Sequence, residues 1–145
     1  MLPRWHISFG LAFTILVWLA IPQIPFLYLI LIFLSSVLID FDHYAVSVSK
    51  TGSISIRKSF DYHNKKRIEE KRDISKGIKK RGDFHIFHTM EFHFLIGLLS
   101  LFWIGFFYIF IGMIFHSFLD LIDLIIKKRF HRREYFFFNW IRKKI

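Results

Sequence analysis

The chain has 145 residues, with 21 Lys and Arg against 11 Asp and Glu, a formal net charge of +10, 54% hydrophobic residues and no cysteine. That length leaves room for one domain. The lack of thiols excludes a disulfide framework and any thiolate metal site, so metal ligands must be imidazole nitrogens or carboxylate oxygens.

From the N-terminus, Arg4 precedes an apolar block over 5–39 with no Lys, Arg, Asp or Glu. A helix of that length would extend about 50 Å, well beyond the roughly 30 Å hydrocarbon core of a bilayer, so the block must fold back. Ile21-Pro22-Gln23-Ile24-Pro25 supplies the break, because two prolines interrupt helix hydrogen bonding. Two short helices are predicted, over 7–21 and 26–39. A cleaved signal peptide is the alternative for the first, but no small-residue cleavage site is evident and a second apolar stretch follows at once.

A basic insert follows over 47–83, with both signs mixed as in Lys65-Lys66-Arg67-Ile68-Glu69-Glu70-Lys71-Arg72. Such runs read as solvated helix faces or loops. The second apolar block again exceeds one untilted span and is predicted as helices over 92–106 and 109–126, with Gly97, Gly105 and Gly112 as weak turning points. The tail over 127–145 interleaves cations with Phe130, Tyr135, Phe136, Phe137, Phe138 and Trp140, a pattern that suits a bilayer interface better than nucleic-acid stacking.

All Lys and Arg lie at Arg4, in 50–81 or in 127–144. Two crossings by each apolar block put these three regions on one side, as the positive-inside rule requires. The expectation is an all-α integral membrane four-helix bundle with short helices and a basic cytoplasmic loop. It is a single multi-pass domain of the cell membrane with both termini cytoplasmic.

Ionisable groups inside or beside apolar spans are costly and point to function. His6 opens the first helix, Asp40, Asp42 and His43 end the second, His88, Glu91 and His93 begin the third, and His116, Asp120 and Asp123 lie in the fourth. In the predicted topology these ends share the cytoplasmic side, so the groups can converge. His116, Asp120 and Asp123 follow four- and three-residue steps that share one helix face, a spacing that can grip one cation. His6, His63, His85 and His131 taken singly read as interfacial polar groups.

At these residues the chain resembles the predicted membrane-bound metal-dependent hydrolases, the family that includes the LexA-binding inner-membrane protein. The resemblance is carried by His6, by Ile39-Asp40-Phe41-Asp42-His43, by His88-Thr89-Met90-Glu91-Phe92-His93 and by His116-Ser117-Phe118-Leu119-Asp120. Ile39 stands where that pattern has proline, and Thr89-Met90 where it has Arg-Gly. The resemblance implies a hydrolase of phosphoester or ester bonds, with a phospholipid as one candidate substrate. It implies a divalent metal, zinc favoured with manganese or iron as alternatives, held by His6, Asp40, Asp42, His43, His88, His93, His116 and Asp120. Glu91, Asp42 and Asp123 are then the candidates for proton transfer or for orienting a ligand. The expected partners are membrane lipids and an anionic substrate, ahead of nucleic acid. A non-enzymatic metal-binding or transport protein, or a tether using its basic loop, are the competing readings.

Overall fold

A computed structural model describes residues 3–143, and among them every regular element is helical. In chain order these are α1 (Pro3–Ala20), α2 (Phe26–Leu38), α3 (Phe41–Thr51), α4 (Ile56–Ser75), a 3-10 turn at Ile86–His88, α5 (Met90–Leu99), α6 (Ile104–Ile126), a second 3-10 turn at Phe130–Arg132, and α7 (Phe137–Arg142). The expected tail ends at Lys144 and Ile145, which lie outside the described residues.

The proline break falls where the sequence places it. Ile24 N bonds back to Ile21 O at 3.2 Å, and Pro25 then starts α2 from an extended conformation. The other apolar block divides differently from expectation. Its helices meet at 100–103 rather than near 107, because Gly105 lies inside α6, packed beneath the Trp103 ring, and a Cβ there would sit 2.3 Å from it. Gly105 is a packing position and not a turn.

At the centre, α6 crosses α2 at very close range. Gly112 permits this, since a Cβ would meet the Ile32 carbonyl oxygen at 2.3 Å. Ring stacks extend the seam: Phe13 lies on Phe115 at 4.0 Å and Tyr28 on Tyr108 at 4.4 Å between centroids. Gly10 allows α1 a similar approach to Ser36 of α2. Outside the apolar seam, Ser47 of α3 donates to Ser59 of α4 at 2.6 Å, and the Tyr62 hydroxyl donates to Asp83 at 2.8 Å.

Two helical stretches are long and apolar enough to cross a membrane, Phe26–Thr51 with its slight kink at Asp40, and Ile104–Ile126. The helices α1 and α5 are apolar but shorter. Among the described residues, polar side chains outnumber apolar ones in the fully buried set. The buried apolar side chains are Leu29, Ile32, Ile39 and Met113, whereas His6, Ser36, Asp42, His88, Thr89, His93, His116 and Asp120 are all buried and large residues such as Leu16, Leu19, Phe26 and Phe102 face outward.

Candidate metal centre

Four elements deliver charged or imidazole groups to one end of the α1–α2–α6 bundle. Asp40 sits at the kink between α2 and α3, His88 ends the first 3-10 turn, His116 and Asp120 lie one turn apart on α6, and His6 comes from the first turns of α1. One ligand atom from each of Asp40, His88, His116 and Asp120 lies within 4.8 Å of every other. The individual distances are short: Asp40 Oδ1 is 3.4 Å from His116 Nε2 and 3.6 Å from His88 Nε2. Asp120 Oδ2 is 3.6 Å from His116 Nε2 and 3.7 Å from His88 Nε2. His116 is wholly buried, and His88 and Asp120 are 4% and 3% exposed, so water cannot compensate their charges and lone pairs.

The two imidazoles are oriented from behind. His116 Nδ1 lies 2.8 Å from the Ser36 carbonyl oxygen, which can only accept, so Nδ1 carries the proton and Nε2 presents a lone pair. His88 Nδ1 likewise donates to Asp42 Oδ2 at 3.0 Å, and Phe87 N donates to the same oxygen at 3.1 Å. With both rings neutral, the two Nε2 atoms, 3.2 Å apart, are the ones left to offer lone pairs to a cation. Two nitrogens at that separation, each about 2.0–2.1 Å from one ion, subtend roughly 100°, close to the tetrahedral angle of zinc. Carboxylates holding the distal nitrogen of a ligand histidine are the usual support of such sites. The donor set thus fits a divalent cation.

His6 adds a fifth group. Its ring stacks on His116 at 4.0 Å, and its Nε2 lies 3.3 Å from Asp120 Oδ1 and 3.8 Å from Asp40 Oδ2. Its Nδ1 has no hydrogen-bond partner although the residue is 1% exposed, and its Nε2 faces only these carboxylates, an arrangement that suits a cation between them.

The remaining candidates fall into other roles. Asp42 orients His88 rather than facing the four-residue cluster, and with His43 and His88 it forms a second group that can hold an ion. His43 reaches Asp40 Oδ1 at 3.4 Å. His93, expected as a ligand, lies outside both groups: its Nδ1 donates to the Thr89 carbonyl at 2.8 Å, and its Nε2 accepts from Ser117 at 2.9 Å, bracing α5 on α6. Glu91, expected to carry a proton, faces the tail instead, where its carboxylate accepts from Phe137 N at 3.0 Å and Phe138 N at 3.4 Å at the start of α7. Asp123, the other expected acid, pairs with Lys127 at the exit of α6.

Sequence reasoning missed two groups. Arg133, from the basic tail, returns to donate from Nη2 to Asp120 Oδ2 at 2.7 Å. His85, read as an interfacial histidine, has Nδ1 3.5 Å from Asp42 Oδ1 and its ring 3.7 Å from that of His43.

Fold and site together define an all-helical protein with a buried histidine–carboxylate centre suited to a divalent cation. Comparison of the chain with known protein families, with curated proteins and with solved structures returns no match.

Proposed function

We propose that this chain is a membrane-embedded, metal-dependent hydrolase of phosphoester or ester bonds whose centre opens to the cytoplasm. The observation that carries the reading is the pair of pre-oriented Nε2 lone pairs of His88 and His116, 3.2 Å apart and flanked by Asp40 and Asp120. The burial pattern supports the membrane setting, because polar groups inside and large apolar residues outside suit lipid and would aggregate in water. The charge pattern supports four crossings with both termini cytoplasmic, α1 and α5 being the short spans. When bound, a divalent cation at such a site polarises a substrate oxygen and activates water for attack. The chain's own contribution is orientation: Asp42 and the Ser36 carbonyl fix the two imidazoles, and Asp40 and Asp120 supply charge. Asp40, with its side chain 21% exposed, is the one of the four reached from outside.

A second reading, a non-enzymatic metal protein, is favoured by the number of ligands: His6 with the four-residue cluster is enough to fill a closed structural site. One experiment separates them. Detergent-purified protein is loaded with zinc or manganese, its metal content measured, and hydrolysis of bis(4-nitrophenyl) phosphate and 4-nitrophenyl acetate followed. Asp120→Ala is expected to lose both metal and hydrolysis. Metal retained at full occupancy in this variant refutes the assigned centre, and stoichiometric metal without hydrolysis of either ester favours the structural reading.

A further inference from the structure

The tail that follows α6 does more than leave the bundle. Glu70 of α4 grips Arg129 Nε at 3.3 Å and Arg132 Nε at 3.1 Å, Gly82 N donates to the Arg132 carbonyl at 2.8 Å, and Met90 N donates to the Tyr135 carbonyl at 2.9 Å. Glu134 takes Lys143 at 2.8 Å and also pairs with Arg81, and Glu91 holds the start of α7. Residues 129–137 are thus tied on both sides to the insert and to α5. Between these ties two groups turn inward. Arg133, with its side chain 13% exposed, reaches Asp120 of the metal centre at 2.7 Å. The Tyr135 hydroxyl is buried with no hydrogen-bond partner, while its ring stacks on Phe130 at 5.1 Å. Burial raises the Tyr135 pKa, so the phenol keeps its proton and remains a donor.

We infer that Arg133 and Tyr135 form the anion-binding half of the site, receiving a non-bridging oxygen of a phosphate ester beside the metal held by Asp40, His88, His116 and Asp120. This rests on the metal-centre reading above and narrows its substrate to a phosphate ester. Charge balance supports it. Asp40 and Asp120 offset one divalent cation, and Arg133 adds a positive charge beside them that an anionic substrate would meet. Geometry supports it as well. The guanidinium has five N–H donors in a planar fork, and the bond to Asp120 uses one, leaving others for an oxyanion. The orphaned Tyr135 hydroxyl is the complementary donor, since a buried hydroxyl without an acceptor is costly until a ligand supplies one.

The test is isothermal titration of inorganic phosphate into zinc-loaded, desalted protein in detergent, with zinc content measured on the same samples. Arg133→Lys keeps the positive charge beside Asp120 but loses the fork, and Tyr135→Phe removes only the hydroxyl. Each is expected to weaken phosphate binding about tenfold while zinc content stays at the unsubstituted level. Unchanged phosphate affinity in both variants overturns the inference while leaving the metal centre intact. Phosphate and zinc lost in parallel also overturn it, because Arg133 is then a brace for Asp120. Failure of the unsubstituted protein to take up zinc removes the metal-centre reading and this inference with it.

Discussion

Gly112→Ala tests whether the α2–α6 crossing sets the ligand geometry. A methyl group at Gly112 would lie 2.1 Å from Ser35 Oγ and 2.3 Å from the Ile32 carbonyl oxygen. Ser35 can rotate away. The Ile32 carbonyl is helix backbone and cannot, so the two helices must separate by about 1 Å to restore ordinary contact. Overpacking of this kind costs about 2 kcal/mol, roughly 30-fold in the folding equilibrium. The same separation acts one turn further along both helices, where His116 Nδ1 donates to the Ser36 carbonyl at 2.8 Å. Stretching that bond by about 1 Å breaks it and frees the His116 tautomer. Loss of such support lowers metal affinity about 10–100-fold. Thermal unfolding in detergent and a zinc-competition titration read the two effects on one preparation. Gly97→Ala is the control: its nearest neighbour would be Phe110 Cε2 at 3.6 Å, an ordinary contact, so this variant is expected to match or slightly exceed the parent in stability. If Gly112→Ala unfolds at the parent temperature and binds zinc as tightly, the crossing does not position His116 and the argument fails.

Asp42→Asn keeps the shape behind His88 but removes the carboxylate that holds its Nδ1 proton. Zinc affinity is expected to drop about 10–100-fold without being abolished, as measured by competition with a chelating dye; no change would mean that Asp42 does not orient the ligand. The chain has no cysteine, so single replacements report topology directly. In sealed inverted vesicles, Ser75→Cys is expected to react with an impermeant maleimide and Gln23→Cys and Leu101→Cys only after detergent is added. Labelling of Ser75→Cys and Leu101→Cys from the same side would refute four crossings.

What the sequence disclosed depended on how local the cause was. The hairpin at 21–25 was legible because proline acts on its own backbone, and the shared face of His116 and Asp120 because helix periodicity is local. The convergence of His6, Asp40, His88 and His116 followed from charge segregation and the order of the apolar blocks. The break at 100–103 was misplaced because no residue there forbids helix; Gly105, which looked like a turn, serves to seat Trp103. His93 and Glu91 face other partners for a related reason. Each has the right chemistry, but their partners, Ser117 on the next helix and the backbone of Phe137 in the tail, lie 24 and 46 residues away. Arg133 left no signal, since it sits in a run with Arg129 and Arg132, which serve Glu70, and only the path of the tail turns this one toward Asp120.

The groups around the centre come from position 6, position 40, position 88 and positions 116 and 120, so no single hairpin contains them. A nascent chain that has placed only its first two helices owns one histidine and one aspartate of the set, too few to capture an ion against cellular chelators. An ion at this centre would therefore be fully coordinated only once the chain has been built through position 120. Bound there, it would tie α1 to α6 through His6 and Asp120, and its withdrawal would loosen the hold on the N-terminal helix.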